Sequence, residues 1–219
     1  MILAAGRGER LRPLTDQTPK PLIEVAGRPI IEWTIESLVG SGFTELVINV
    51  AHLGQKIIDK LGDGEKFGCK ISYSEEGEVG LETGGGIYRA LPLLGEQPFL
   101  VVNGDIATDF PFHTLPTELS GKAHLVLVSN PTHNAKGDFS LAAESVSNEG
   151  GDLYTFSGIG VYHPSLFDQC HAGKFPLAPL LREAMEKKEV SGVQYSGFWL
   201  DVGTVDRLKE LEQRLLLKE

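Results

Sequence analysis

Runs dominated by apolar residues, without regular polar alternation, constrain the fold of this chain most strongly. Three of them occupy residues 1–5, 99–103 and 124–129. Strands of this kind are typical of a parallel sheet that is covered on both faces. Residues 30–39 (IIEWTIESLV) have helical spacing and are followed by glycines. The alternation of the two patterns predicts an α/β fold with a doubly wound, mostly parallel sheet.

The remaining segments continue this alternation. We predict strands over residues 45–51 and 69–74, and two or three more within residues 138–163, joined by an irregular link. Further helices are predicted over residues 55–61, 86–94, 177–188 and 204–217. Thr204 is the expected N-cap of the last helix, and Pro92 is expected to break the end of the helix over residues 86–94. The strand-rich part predicts a small β-rich excursion over one end of the sheet, where a second substrate would bind.

The first apolar run leads directly into a glycine-rich, cationic loop. Residues 3–15 read LAAGRGERLRPLT, and Lys20 follows between two prolines. Gly6 and Gly8 allow the backbone to approach an anion and to turn its N–H groups toward it. The arginines and Lys20 then neutralise negative charge. The pattern predicts a loop that binds phosphate.

Two better-known phosphate loops are excluded. The string G-x-x-x-x-G-K-[ST] of a P-loop does not occur in the chain. A dinucleotide fingerprint requires a third glycine where this chain has Leu11, and a helix that Pro13 would block.

The distribution of charge narrows the class of partner. The 219 residues carry a net charge of −10, which repels nucleic acid and anionic membranes. Residues 1–28 nevertheless hold five Lys or Arg against three Asp or Glu, and such a cationic pocket suits a small polyanion such as a nucleoside triphosphate. No apolar segment has the length of a signal peptide or a membrane span. Cys69 and Cys170 lack metal-ligand spacing and are expected to be reduced thiols in a cytoplasmic protein.

The loop motif G-x-G-x-R-L-x-P-L-T, with the P-K-P that follows, resembles the signature of the sugar-1-phosphate nucleotidyltransferases. The resemblance extends over nearly the whole chain. It implies a Rossmann-like fold of the nucleotide-diphospho-sugar transferase type, with residues 1–219 as a single domain and no C-terminal β-helix domain. It also implies a nucleoside triphosphate and a sugar 1-phosphate as substrates, Mg²⁺ as the cofactor, and a monomer or homodimer.

Two aspartates follow predicted strands. Asp105 ends VVNGD and Asp201 lies within FWLDVGT. Ligands of open α/β sheets bind at the carboxyl ends of strands, although an aspartate in a simple turn is the alternative for Asp105. Capping of the last helix is the alternative for Asp201, but Thr204 serves that purpose. The resemblance implies that both aspartates hold Mg²⁺, which takes one or two carboxylates together with substrate phosphates and water.

The resemblance assigns the donor nucleotide to the first loop and to LETGGG at residues 81–86. Arg10 and Lys20 would be catalytic: Arg10 stabilises the β- and γ-phosphates, and Lys20 bridges the phosphates of the two substrates. Glu82 and Glu9 replace the glycine and threonine that are usual in relatives, and Glu82 favours the branch that uses UTP and N-acetylmuramate α-1-phosphate in cell-wall recycling. A helix N-terminus with flexible glycines is the alternative for residues 81–86. The predicted nucleotide-binding residues are Leu3, Ala4, Ala5, Gly6, Gly8, Glu9, Arg10, Glu82, Thr83, Gly84 and Gly104.

The later strand-rich part resembles the sugar-binding half of these enzymes. Carboxylates suit such a site because they accept hydrogen bonds from sugar hydroxyls. Many relatives have a Glu-Lys-Pro segment here that holds the sugar phosphate; this chain lacks it, which leaves the phosphate partner open. The predicted sugar-binding residues are Asn103, Asp138, Glu144, Ser157 and Gly158.

Two alternative functions stay open at this point. One is a nucleotidyltransferase of the same fold that acts on mannose, heptose or glucose 1-phosphate, or on phosphocholine with CTP. The other is a regulatory member that binds nucleotide without catalysis, although Arg10, Lys20, Asp105 and Asp201 are all present. Mg²⁺-dependent release of pyrophosphate separates the two.

Overall fold

A mixed nine-stranded sheet organises the protein, whose computed structural model describes residues 1–217. The order of its strands is β5-β4-β1-β6-β11-β8-β12-β10-β9, and two short pairs, β13-β7 and β2-β3, flank it. The strands are β1 (Ile2–Leu3), β2 (Glu24–Val25), β3 (Arg28–Pro29), β4 (Glu45–Val50), β5 (Lys70–Glu75), β6 (Phe99–Asn103), β7 (Ile106–Thr108), β8 (Ala123–Val128), β9 (Phe139–Ala142), β10 (Ser145–Ser147), β11 (Leu153–Tyr162), β12 (Val190–Tyr195) and β13 (Trp199–Asp201). The helices are α1 (Ile30–Gly40), α2 (Gly54–Leu61), α3 (Glu82–Leu94), α4 (Ala178–Glu186) and α5 (Val205–Leu216).

The direction of the strands determines where a site forms. Strands β5, β4, β1 and β6 are paired in parallel, and β12 is parallel to β8. Strand β11 runs antiparallel to both of its neighbours, β6 and β8, so β8 and β12 point the same way as β6. The carboxyl ends of these six parallel-running strands therefore meet at one edge of the sheet.

Apolar residues cover both faces of the sheet, which confirms the predicted doubly wound α/β fold. Along β6, Phe99 and Val101 belong to the core that contains α3 and α4. Leu100 and Val102 belong to the opposite core, which contains α1 and α2. Successive strand residues point to opposite faces, so a continuous apolar run is what a strand buried on both sides requires.

Most predicted elements are present, but α3 begins four residues before the predicted start. Its first turns contain three glycines because other groups approach them closely. A β-carbon on Gly84 would lie 2.5 Å from the ring of Phe175, and one on Gly86 would lie 2.4 Å from the carboxylate of Glu76. Pro92 lies inside the helix and does not end it there; the helix ends at Leu94. Tertiary packing therefore overrides the local preference of glycine and proline.

The last helix has the predicted cap and a divided apolar face. The side chain of Thr204 accepts a hydrogen bond from the N–H of Arg207, at 3.4 Å. Leu208 and Leu211 are buried in a third small core with Leu11, whereas Leu217 is exposed. None of the helices within residues 1–217 is long and apolar enough to cross a membrane.

The β-rich excursion corrects one predicted sugar-binding residue. Glu144 lies in the tight turn between β9 and β10, and its carbonyl accepts from Gly192 near the start of β12. Burial lowers the pKa of His124 near the start of β8, and the charge of Glu144 partly opposes this, which places Glu144 there too. Gly192 is three residues before Tyr195, the last residue of β12, so Glu144 lies about 10 Å along that strand from the carboxyl edge. Glu144 does not line the cavity at that edge, so the structure does not support its predicted contact with the sugar.

Candidate active site

An open cavity of about 660 Å³ lies at the carboxyl edge of the sheet. The loop after β1 forms one wall, the loop between β5 and α3 forms another, and the end of β6 forms its floor. All predicted nucleotide-binding residues except Gly84 line it, together with Lys20, Asn103 and Asp105. Gly84 instead packs beneath Phe175 inside α3.

The glycine loop is anchored at both ends. Gly8 has a φ of 66°, and a β-carbon there would lie 2.8 Å from the methyl group of Thr15. The Thr15 hydroxyl donates to the Gly8 carbonyl at 2.9 Å, and the fully buried Leu11 fixes the loop to the third core. No helix begins at the loop, as the exclusion of a dinucleotide fingerprint predicts; a 3₁₀ turn (Glu9–Leu11) occupies that position. The loop therefore presents Gly6 and Arg10 to the cavity from a fixed base.

A buried hydrogen-bond chain, absent from the sequence prediction, joins the two walls. The amide oxygen of Asn49, at the end of β4, accepts from the N–H of Ala4 at 2.7 Å. Its amide nitrogen donates to Glu76 at 2.6 Å, and the other oxygen of Glu76 accepts from the N–H of Leu81 at 2.6 Å. Both side chains are buried, and Gly86 leaves the space that the carboxylate occupies. No sequence motif marks these residues; their only signal is their place near the ends of two predicted strands, Asn49 within residues 45–51 and Glu76 just after residues 69–74.

Lys20 and Asp105 meet at the centre of the cavity. The Lys20 ammonium donates to a carboxylate oxygen of Asp105 at 2.6 Å, across 85 residues of sequence. The Lys20 side chain is 11% exposed and that of Asp105 is 30% exposed, so water screens the pair only in part. Gly104 has to be small because a β-carbon there would lie 2.6 Å from the Leu3 carbonyl. This close approach of β1 and β6 sets Asp105 beside the glycine loop.

The backbones at Asp201 and Asp105 lie side by side, but the Asp201 side chain lines a different cavity. The N–H of Val202 donates to the Asp105 carbonyl at 2.6 Å, and Asp201 is paired with Ile106 in the β13–β7 ladder. The Asp201 carboxylate lines a second cavity of about 390 Å³, where it is hydrogen-bonded to Arg207. His133 lies 3.2 Å from the same oxygen.

The sequence motifs identify neither His133 nor Arg207. Both side chains contact Asp201, the predicted metal ligand. Arg207 follows the W-x-D-x-G-T segment by three residues, in the first turn of α5, which is the signal that could have identified it.

The donor set fits a divalent cation that binds together with substrate. Within residues 1–217, no group of three or more His, Cys, Asp or Glu side chains could hold a metal by itself. Mg²⁺ needs only one or two carboxylates when phosphates and water supply the other ligands. Asp105 meets this need at the phosphate loop, whereas Asp201 would have to leave Arg207 and His133 to bind the same ion.

Glu82 occupies a strained position at the cavity wall. It has a φ of 61°, a left-handed conformation that favours glycine, at the first residue of α3. The ammonium of Lys174 lies 3.7 Å from its carboxylate, and both side chains are about half exposed. A glutamate in this conformation costs backbone energy that glycine would avoid, and its place at the cavity wall makes it a candidate functional residue.

The predicted sugar-binding residues around β11 form a β-bulge next to the floor of the cavity. Gly158 has a φ of 77°, and a β-carbon there would lie 2.5 Å from the amide of Asn103. The buried Ser157 hydroxyl donates to the Val126 carbonyl at 2.7 Å. Asp138 accepts from the N–H of Phe156 at 2.8 Å and from the amide of Asn134 at 3.1 Å. Asn103 and Gly158 therefore lie together, whereas Ser157 and Asp138 hold the bulge in shape.

Comparison with known proteins agrees with this geometry. Residues 1–141 match the family described as Nucleotidyl transferase. The chain is 56% identical to an N-acetylmuramate alpha-1-phosphate uridylyltransferase from Neisseria meningitidis serogroup B, over 97% of this chain and 96% of that protein. The protein of the same name from Caulobacter vibrioides is 32% identical, over 98% and 96% of the two chains.

A solved structure shows the same fold at low identity. It is that of a protein described as a glucose-1-phosphate thymidylyltransferase from Bacillus anthracis, which is 21% identical with a TM-score of 0.86. The match covers 97% of this chain and 93% of that one.

We expect Asn49→Ala to destabilise the protein and to weaken nucleotide binding. It would leave the Ala4 N–H and the Glu76 carboxylate without their partner in a buried place, which costs about 1–3 kcal/mol. Urea denaturation measures the free energy of unfolding. The KM for the nucleotide should rise, because the two walls of the cavity are no longer held together. Asn148→Ala is the control, because that side chain is only half-buried and its hydrogen bonds with Arg182 are exposed to water, so its loss should cost less. Equal stability of both variants would contradict the proposed role of the hydrogen-bond chain through Asn49 in holding the two walls together.

We expect Glu82→Gly to keep or raise stability by up to about 1 kcal/mol while it lowers kcat/KM for the nucleotide. Glycine relieves the strain of the left-handed backbone conformation. The loss of the carboxylate removes the predicted contact of Glu82 with the nucleotide. Lys188→Gly is the matched control, since Lys188 is exposed, has a φ of 58° and lies outside the cavity. Thermal unfolding and steady-state kinetics of both variants provide the comparison; unchanged kinetics in Glu82→Gly would remove Glu82 from the site.

Proposed function

The chain belongs to the nucleotidyl transferase family, and we propose that it transfers the uridylyl group of UTP to N-acetylmuramate α-1-phosphate in the recycling of cell-wall sugar. The observation that carries the proposal is the cluster of Arg10, Lys20 and Asp105 around the glycine loop at the carboxyl edge. The choice of UTP and this sugar rests on the 56% identity over nearly the full length of both chains.

The reaction forms one bond and breaks one. A phosphate oxygen of the sugar 1-phosphate attacks the α-phosphorus of UTP in line, and the bond to the β-phosphate oxygen breaks. Pyrophosphate leaves with the electron pair, and the products are the nucleotide sugar and pyrophosphate. Negative charge shifts toward the leaving group, so positioning and electrostatic stabilisation supply most of the catalysis.

The cations of the loop serve these two needs. Arg10 lies at the open side of the cavity, where it would bind the β- and γ-phosphates and the leaving pyrophosphate. Lys20 is mostly buried, which strengthens its interaction with the phosphates that it would bridge. The backbone N–H groups of the loop at Gly6 and Gly8 add donors that need no reorganisation.

Members of this family generally use a divalent metal, and we propose Mg²⁺ held by Asp105 and Asp201. When bound, the ion neutralises and orients the phosphates. In the structure the same two carboxylates accept from Lys20 and Arg207, which hold them in place.

Nucleobase and sugar would lie on opposite sides of this centre. We assign the base to the wall with Glu82 and Thr83, and the sugar to the side of Asn103 and Gly158. We further propose that the chain acts as a single catalytic domain in the cytoplasm. Its two cysteines are free thiols, which is the state expected in a reducing compartment.

The substrate pair is tested by release of pyrophosphate in a panel of common nucleoside triphosphates and sugar 1-phosphates. We expect the highest kcat/KM for UTP with N-acetylmuramate 1-phosphate, and no release after removal of divalent cations. A different preferred sugar would keep the reaction and overturn the proposed acceptor. Nucleotide binding without release in any pair would instead indicate a regulatory protein.

We expect Lys20→Met to lower kcat by about 10²- to 10³-fold, because a donor aimed at the developing charge is lost. Stability should change by no more than about 1 kcal/mol, the range of partly exposed ion pairs. Lys60→Met, on the exposed surface of α2, controls for the loss of a charge. Stopped-flow or single-turnover kinetics measure the rate of the reaction, and thermal unfolding measures the stability. Near-normal turnover in a folded Lys20→Met would refute its role.

A further inference from the structure

The second cavity contains a preformed cationic corner. Arg207 and His133 lie beside Asp201, and Trp199, Tyr195 and Thr132 form the rest of the wall. The Arg207 side chain is only 13% exposed, and its Nε lies 3.3 Å from the Thr204 hydroxyl. A planar guanidinium held in this way keeps its remaining donors in a fixed direction, which suits an oxyanion.

This corner reaches the phosphate cavity at Gly203, which lines that cavity. A β-carbon on Gly203 would lie 2.9 Å from a terminal nitrogen of Arg10 and 2.9 Å from one of Arg207. Both guanidinium groups therefore approach the position that a side chain of this residue would occupy. Any side chain at this position would push one of them away.

A cation bound to Asp201 would leave the positive charge of Arg207 without its carboxylate partner. Asp201 contributes one negative charge and already contacts both Arg207 and His133. The N-terminus of α5, a 12-residue helix, adds partial positive charge at Arg207. A cation on Asp201 would compete with the guanidinium and leave its donors for an incoming anion.

We propose that Arg207, supported by His133, binds the phosphate of the acceptor sugar phosphate. This inference rests on the proposed function. The acceptor phosphate has to lie within about 3–3.5 Å of the α-phosphorus, so it is the part of the acceptor nearest to the glycine loop. A terminal nitrogen of Arg207 meets Arg10 at Gly203, which lines the phosphate cavity, so this guanidinium is within reach of an acceptor phosphate bound there. Trp199 also lines the second cavity, and its indole N–H donates to the Ser157 carbonyl, next to the Gly158 that we assign to the sugar.

A purely structural role for Arg207 predicts different effects. If the guanidinium only holds Asp201 and the start of α5, its loss should alter stability, kcat and the metal requirement without selectivity for the acceptor. A phosphate-binding role predicts a change in the KM for the acceptor. Measurement of both Michaelis constants therefore separates the two roles.

The test compares Arg207→Gln and Arg207→Lys with the exposed control Arg89→Gln of α3. We expect Arg207→Gln to raise the KM for N-acetylmuramate 1-phosphate at least tenfold and to leave the KM for UTP within twofold. Arg207→Lys should recover part of the loss, because it restores the charge but not the planar pair of donors. Arg89→Gln should match the wild type. Thermal unfolding shows which variants are folded. If Arg207→Gln does not fold, Arg207→Lys alone tests the proposal.

A second arm identifies the anion. Unphosphorylated N-acetylmuramate, used as a competitive inhibitor, keeps its carboxylate but lacks the phosphate. Its inhibition constant should be the same for the wild type and Arg207→Gln. An inhibition constant that rises in parallel with the KM would show that Arg207 binds the carboxylate, which overturns the proposal, as would an unchanged KM for the acceptor. A wild type that is inactive with every sugar phosphate would refute the proposed function instead.

Discussion

The hydrogen-bond chain from Ala4 through Asn49 and Glu76 to Leu81 is the constraint on which the site depends. A glycine-rich loop that binds phosphate is flexible on its own, because glycine permits many backbone conformations. Here a buried amide and a buried carboxylate fix the start of that loop to the start of α3. Such a network specifies one geometry only when every member has its partner, and the protein meets that condition with side chains from the ends of two neighbouring strands. The distance between the phosphate wall and the opposite wall is thereby set before any ligand binds.

Within this frame the reactive side chains neutralise one another. Lys20 is paired with Asp105, and Arg207 is paired with Asp201. In the proposed function Lys20 and Arg207 bind phosphate while Asp105 and Asp201 bind the cation, so substrates and metal would exchange partners without leaving a charge unpaired. Such an exchange avoids the uncompensated charge that the loss of a single partner leaves behind.

The sequence predicts the parts of this arrangement that local chemistry specifies. Apolar runs identify strands β6 and β8, and the glycines, Lys20 and the aspartates at strand ends follow from motifs. The long-range contacts are not predictable in this way. Asn49 and Glu76 belong to no motif and matter only because β4 and β5 end side by side. The residue type of Glu144 predicts a contact with the sugar, but the β9–β10 hairpin places it beside Gly192 in the middle of β12. The early start of α3 depends on Phe175 and Glu76, which lie outside the helix.

The acidic surface and the cationic site act at different ranges. A net charge of −10 repels a nucleotide at a distance, but salt screens that repulsion beyond about 8 Å. Inside the cavity Lys20 is mostly buried, so its attraction is screened much less than the repulsion outside. A divalent cation that arrives with the triphosphate lowers the charge that has to pass the acidic surface. In the proposed mechanism the exposed Arg10 holds the leaving pyrophosphate, so the product is bound at the part of the cavity that is open to water.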